Sequence, residues 1–73
     1  MQQFKIEEYI NVLVKKTYVA KAKTKAEALT EFGTFSAEYI GTDNNLQSQQ
    51  QQVIVTPISN QQLKQMRKKW VNL

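Results

Sequence analysis

The sequence predicts an α+β fold, a small antiparallel sheet with two helices on one face, in the order ββαββα. Two runs near the N-terminus, Phe4 to Ile10 and Leu13 to Ala22, are rich in aromatic and β-branched residues and contain neither Gly nor Pro. Two later stretches carry the residue spacing of a helix N-terminus. Helices on one face of a sheet bury apolar residues of both layers in one core.

The first two strands should form a hairpin, with its bend near Asn11 and Val12, because Asn11 is the only turn-forming residue between them. Side chains alternate between the two sides of a strand. In the second strand one side is therefore mostly apolar, with Tyr18, Ala20 and Ala22. We expect the other side to face water because it carries most of the lysines of this strand.

The first helix should begin at Thr24, which forms a capping box with Glu27, and end at Gly33, which tolerates left-handed backbone geometry. A third strand is predicted at Phe35 to Ile40, because aromatic residues and Ala alternate there with polar ones. A turn-rich segment follows, and Val53 to Thr56 provides the fourth strand before Pro57.

The last helix is predicted from Asn60 to Asn72, behind a second capping box of Ser59 and Gln62. Its apolar residues recur at helical spacing and should form a stripe against the sheet. The residues expected between the layers are Tyr18, Leu29, Phe32, Phe35, Met66 and Trp70.

The chain has 73 residues, enough for a single domain spanning 1–73, with a flexible Gln-rich loop at about 41–52. It has no cysteine, which excludes a disulfide framework. The N-terminus lacks the features of a secretory signal, and no apolar run is long enough to cross a membrane. We therefore expect a cytoplasmic protein that makes no membrane contact.

Composition argues against an enzyme, a metal site or a cofactor. Histidine, the usual general base and metal ligand, is absent, and two glycines cannot build a phosphate loop. Glu7 and Glu8 are adjacent in a strand and so point to opposite faces, which prevents them from sharing a catalytic site. Glu27 is explained by helix capping. We expect no catalytic residue, no metal ligand and no cofactor.

The first half of the chain resembles a family of small proteins of phages and mobile elements. The residues that carry the resemblance are Phe4-Lys5-Ile6-Glu7, Tyr18-Val19-Ala20 and Thr24-Lys25-Ala26-Glu27-Ala28-Leu29. They are similar to the strand-strand-helix proteins of the DpnD/PcfM-like family and to podoviral early proteins that bind bacterial RNA polymerase. The resemblance implies a phage-like accessory protein that modulates a larger host protein.

The net charge of +4 and the two lysine-rich segments point to an anionic partner. We hypothesise a protein-binding module that docks on an acidic protein surface. The alternative is nonspecific nucleic-acid binding through phosphate contacts, because lysine outnumbers arginine. Two copies of so small a domain could also form a homodimer. The predicted partner-binding residues are Lys15, Lys16, Lys21, Lys23, Lys64, Arg67 and Lys68.

Overall fold

The computed structural model describes residues 1–45 and 50–71, and the side chains of all of these except 70 and 71. Its elements are β1 (Gln2–Tyr9), β2 (Val14–Ala22), α1 (Lys25–Gly33), β3 (Glu38–Asn44), β4 (Gln52–Ile58) and α2 (Asn60–Val71). All strand pairs are antiparallel, and the strand order β3-β2-β1-β4 places β3 and β4 at the edges. The predicted α+β class, the antiparallel sheet and the order ββαββα are confirmed.

The bend between β1 and β2 is fixed by the side chain of Asn11. Its Oδ1 accepts hydrogen bonds from the backbone N–H groups of Leu13, at 2.7 Å, and Val14, at 2.9 Å. This local side-chain to backbone bonding is typical of Asn in turns. The bend therefore lies where the sequence predicted it, and it sets the register in which Tyr9 pairs with Lys15.

Helix α1 begins as predicted, because the backbone N–H of Glu27 donates to Thr24 Oγ1 at 3.1 Å. The helix buries Ala28 against one face of the sheet, which we name the α1 face. The small Ala side chains let the helix approach the strands closely. The buried cluster consists of Phe4, Ile6, Ala20, Ala22 and Ala28.

Helix α2 lies on the opposite face, named here the α2 face, so the expectation that both helices share one face is wrong. Arg67 bonds to Glu38 of β3, whose cross-strand partner is Val19. Val19 and Thr17 are buried on this face, although the lysine alternation predicted a face open to water. Leu63 lines a small cavity together with Val19. The sheet is therefore covered from both sides.

The capping box of α2 is complete. Gln62 N–H donates to Ser59 Oγ at 3.1 Å, and Ser59 N–H donates to Gln62 Oε1 at 2.8 Å. Leu63 and Met66 of the predicted stripe are half-buried. The prediction that Trp70 belongs to the core concerns a side chain outside the described residues.

Strand β3 starts and ends later than predicted. It runs through Gly41, and the register shift opposite Thr17 and Tyr18 leaves Ile40 as an extra residue in the edge strand. Such a bulge increases twist and interrupts regular pairing. The segment predicted as a turn is thus largely strand, and residues 46–49 of the predicted Gln-rich loop lie outside the described residues.

Two predicted core residues are not in the core. Leu29 is exposed, and Phe35 is 95% exposed in the connection between α1 and β3. Phe35 also has a φ of 60°, whereas Gly33 has no positive φ. A left-handed backbone is unusual for a bulky side chain. The left-handed residue after α1 is therefore Phe35, contrary to the prediction for Gly33.

Replacing Gly33 with alanine should stabilise the protein by about 0.5 to 1 kcal/mol, because alanine costs less entropy in a helix. A Cβ at this position meets nothing within 4 Å, and the backbone needs no positive φ. Urea unfolding measures the change, with Ala28→Gly as the control of opposite sign. A loss of stability in Gly33→Ala would contradict the backbone geometry described here.

Candidate functional site

Within the described part of the chain, ion pairs hold four of the ten basic side chains. Lys5 and Lys15 both approach Glu7 on the α2 face, at 3.6 Å and 3.2 Å. Arg67 reaches Glu38 at 2.7 Å, and Lys69 reaches Asp43 at 3.1 Å. These pairs fix which of the predicted contact residues remain available to a partner.

Lys15 is placed for a structural role. Its ammonium group is bound to the largely buried carboxylate of Glu7 and lies 5.9 Å from the centre of the Tyr9 ring. It also lines a small cavity with Met66 of α2. A cation held between a carboxylate and an aromatic ring is poorly suited to recognise an external anion. We therefore leave Lys15 out of the contact surface.

Two basic residues of α2 attach this helix to the edge strand β3. Arg67 and Lys69 bind Glu38 and Asp43, which lie near opposite ends of the strand. Because the Arg67 and Glu38 side chains are both about half exposed, with 49% and 51% of their surface accessible, their pair contributes little stability. Its effect is to orient α2 across the α2 face.

Asp43 should make stability depend on pH. The hydrogen bond from Lys69, and then that from the Asn44 N–H, lower the pKa of this carboxyl below its usual value. A lowered folded-state pKa stabilises the fold above the unfolded pKa of about 3.9, and this stabilisation is lost as pH falls through the folded pKa. Asp43→Asn should therefore be less stable than the wild type at pH 7, and this difference should shrink as pH falls through the folded-state pKa of Asp43.

Urea unfolding of both proteins between pH 2 and pH 7 tests this expectation. Glu27→Gln serves as a control, because no ion pair engages Glu27 among the described residues. A constant difference between Asp43→Asn and the wild type across this pH range would contradict the lowered pKa.

Six lysines have no ion-pair partner among the described residues, and five of these six are exposed. The exception is Lys16, which is half-buried and lies opposite Glu8 on the α1 face. The exposed five come from the end of β2, the start of α1 and the outer side of α2. They are Lys21, Lys23, Lys25, Lys64 and Lys68.

One groove joins two of the segments that carry predicted contact residues. Lys21 of β2 and Arg67 of α2 line it together, with Leu63 at its apolar wall and Glu31 and Glu38 as its acids. The structure thus brings the end of β2 next to α2. It separates Lys15 and Lys16, which are adjacent in sequence and lie on opposite faces of the sheet.

A second concave site lies on the α1 face, and we name it the aromatic cavity. Its volume is about 490 Å³. Tyr18 packs edge-to-face on Phe32, with ring centres 5.1 Å apart, and also contacts Tyr39 at 5.6 Å. The cavity is lined by Glu8, Tyr18, Phe32, Gly33, Phe35 and Ala37.

The polar groups of the aromatic cavity are few. Tyr18 Oη donates to Glu8 Oε1 at 3.2 Å. Burial raises the pKa of the Tyr18 hydroxyl, and the carboxylate of Glu8 raises it further. The phenol therefore remains protonated at neutral pH, and Glu8 is the single carboxylate among the described residues that line the cavity.

The sequence reasoning missed this cavity. It placed Tyr18, Phe32 and Phe35 together in the core, and it treated Glu8 only as a catalytic candidate to be rejected. The available signal was local: Phe35 stands between Thr34 and Ser36 just after Gly33. Such polar and flexible neighbours are typical of a connection, in which an aromatic residue is exposed to solvent.

The described residues show no group of three or more side chains suited to hold a metal ion. Glu7 and Glu8 do point to opposite faces, since one binds lysines on the α2 face and the other binds Tyr18 on the α1 face. In the described part of the chain no helix has both the length and the apolar character needed to cross a membrane.

Comparisons with protein-family models, with curated proteins and with solved structures find no match to this chain. The resemblance to the DpnD/PcfM-like family and to podoviral early proteins therefore stays a prediction.

Proposed function

We propose that this protein is a binding module without catalytic activity, which docks on an acidic surface of a larger protein. The surface that carries the binding consists of Lys21, Lys23, Lys64 and Lys68, and we name it the lysine surface. These residues are all exposed, and none of them has an ion-pair partner among the described residues.

The supporting observation is that half of the acidic side chains, but only a minority of the basic ones, are engaged in ion pairs within the described part of the chain. The carboxylates of Glu7, Glu38 and Asp43 are bound by the protein's own cations. Among the described residues, six lysines but only three acids, Glu8, Glu27 and Glu31, make no ion pair, so these unpaired groups carry +3 of the net charge of +4. An excess of one sign attracts a partner of the opposite sign and accelerates the encounter.

A folded protein partner is favoured by the shape of the basic region. The groove that Lys21 and Arg67 line also contains the apolar side chain of Leu63 and the carboxylates of Glu31 and Glu38. A phosphate backbone would meet repulsion from Glu31, which makes no ion pair among the described residues, whereas the charge of Glu38 is compensated by Arg67. A protein surface has acidic, apolar and basic groups that match such a mixed groove.

Nonspecific binding of single-stranded nucleic acid is the second candidate. One observation favours it: Phe35 and Tyr39 are exposed aromatic residues, with 95% and 53% of their surface accessible. Bases stack on such side chains, and lysines contact phosphates. Against it, Lys21 lines a groove with Ser36 and Glu38, the chain neighbours of these rings, and that groove also contains the carboxylate of Glu31.

Affinity capture from lysate of the native cell, with and without nuclease, separates the two candidates. The proposal predicts that a discrete acidic protein is retained after nuclease treatment and released by salt, because screening weakens exposed charge contacts. Loss of all bound protein on nuclease treatment would instead establish the nucleic-acid candidate.

The proposal includes a cytoplasmic location and action on a host protein in the manner of a phage-like accessory protein. The first rests on the sequence features described above, and the second on the resemblance alone. A homodimer is also part of the hypothesis, and sedimentation of the purified protein would test it. A monomer at micromolar concentration would remove the dimer without affecting the lysine surface.

A further inference from the structure

We infer that the aromatic cavity is a binding site for an arginine side chain presented by a partner protein. This site is separate from the lysine surface, and its test does not depend on the proposed function. The inference starts from three rings and one carboxylate that line the same cavity: Tyr18, Phe32, Phe35 and Glu8.

The rings stand at steep angles to each other. Tyr18 and Phe32 are inclined by 65°, and Tyr18 and Tyr39 by 60°. Inclined rings form the walls of a cavity, whereas parallel stacked rings would fill it. Aromatic faces attract cations, and the attraction grows where water is excluded. Tyr18 and Phe32 touch edge to face, so a cation does not enter between them but contacts the ring surface that they leave open to the cavity.

The carboxylate of Glu8 gives the cavity its charge preference. Only its Oε1 accepts a hydrogen bond from the described residues, namely that of Tyr18. Lys16 faces Glu8 from β2 and makes no ion pair with it. The second oxygen is thus available to a donor. A guanidinium group is planar, so it can donate hydrogen bonds to a carboxylate and stack on an aromatic ring at the same time. The ammonium group of lysine is not planar and cannot stack in this way.

Phe35 indicates that the occupant belongs to a protein rather than to a small molecule. Its side chain is 95% exposed and its backbone has a φ of 60°. The backbone geometry belongs to the C-terminal cap of α1, in which Phe35 N–H donates to the Phe32 carbonyl and Ser36 N–H donates to the Glu31 carbonyl, so the feature left to explain is the exposed ring. A small ligand inside the cavity would leave most of this ring in water, whereas a protein that inserts an arginine would cover it. The chain's own Arg67 is bound to Glu38.

The volume of about 490 Å³ is in the range of ligand cavities and exceeds what one arginine side chain needs. The cavity lies beside the edge strand β3, to which Tyr39 belongs. An extended peptide along this edge could place one side chain in the cavity. The bulge at Ile40 interrupts regular strand addition, so the arginine would have to provide most of the specificity.

The test uses three peptides: acetyl-Gly-Ser-Arg-Ser-Gly-amide, its counterpart with citrulline, the neutral analogue of arginine, and its counterpart with lysine. NMR titration of the full chain follows the ring signals of Tyr18, Phe32 and Phe35. We expect the arginine peptide to shift these signals with a dissociation constant about tenfold lower than that of the citrulline peptide, the ratio typical of one charge-assisted hydrogen bond.

Three variants make the test specific. Glu8→Gln keeps an acceptor for Tyr18 and should abolish the preference for arginine over citrulline. Glu31→Gln removes the same charge from the groove that Lys21 and Arg67 line, and it should leave the preference for arginine unchanged. Phe35→Ala should weaken arginine binding about threefold, as expected for the loss of one exposed cation–π contact.

Four results would overturn the inference. They are equal affinity for arginine and citrulline peptides, equal affinity for a lysine peptide, the same loss in Glu31→Gln as in Glu8→Gln, and no shift of the three ring signals. Unchanged thermal unfolding of each variant confirms that the fold is intact.

Discussion

Replacing Ile6 with alanine should remove about 2 to 5 kcal/mol from the free energy of unfolding. Ile6 has no exposed surface, and it contacts the cluster that α1 closes through Ala28. The neighbouring small side chains, Ala20 and Ala22, cannot expand into the space left behind. A domain of this size is stable by only about 5 to 10 kcal/mol, so a substantial population should unfold at moderate temperature.

Leu13→Ala provides the control, because leucine and isoleucine lose the same number of carbon atoms and Leu13 is 71% exposed in the bend between β1 and β2. Its stability should change by no more than about 0.5 kcal/mol. Thermal and urea unfolding monitored by circular dichroism measure both variants. Similar losses for Ile6→Ala and Leu13→Ala would show that the core is not where the structure places it.

Reversing three charges on the lysine surface should abolish capture of the partner without unfolding the protein. The variant is Lys21→Glu, Lys64→Glu, Lys68→Glu. Each reversal subtracts two charges, so the net charge of +4 becomes −2. Attraction to an acidic surface then becomes repulsion, which slows association by about tenfold or more. Arg67 is kept, because its reversal would break the contact with Glu38.

The matched control replaces the same three lysines with arginine, which preserves the charge and should preserve binding. Surface plasmon resonance with the captured partner gives both rate constants for each variant. We expect the association rate to fall much more than the dissociation rate rises, since exposed charges act chiefly on the encounter. Unchanged association in the charge-reversed variant would remove the lysine surface from the contact.

The elements that could be predicted are those with local causes. Asn11 forms the bend through bonds to residues two and three positions away. Thr24 and Ser59 cap helices through bonds that span three residues. Each of these hydrogen bonds joins residues at most three positions apart, so a local sequence pattern is sufficient to predict it.

The face on which α2 packs could not be predicted, because it depends on long-range pairs. The lysines at positions 15 and 21 gave the α2 face a polar appearance in the sequence. In the structure, Glu7 neutralises Lys15, and β3 supplies Glu38 and Asp43 to bind α2. These partners are 8, 29 and 26 residues apart. Long lysine side chains also cover apolar surface with their methylene groups.

The candidate site was predicted in part. Residue type identified the lysines, but only the fold shows that Lys15 and Arg67 are occupied while Lys21, Lys64 and Lys68 are exposed and have no ion-pair partner in the described part of the chain. The aromatic cavity includes Phe35, which is 95% exposed and has a left-handed backbone just after α1. From the sequence alone, an aromatic residue in a short chain is predicted to belong to the core, because such side chains are usually buried.

The central claim is that the lysine surface recognises a protein and not a nucleic acid. The most direct measurement compares, at physiological salt, the affinity for the captured protein with the affinities for a single strand and a duplex of random sequence, each of 20 nucleotides. We expect the captured protein to bind at least about 100-fold more tightly than either nucleic acid, because nonspecific nucleic-acid complexes weaken to dissociation constants of about 10⁻⁴ to 10⁻⁶ M under these conditions. Tighter binding of either nucleic acid than of any captured protein would contradict this claim.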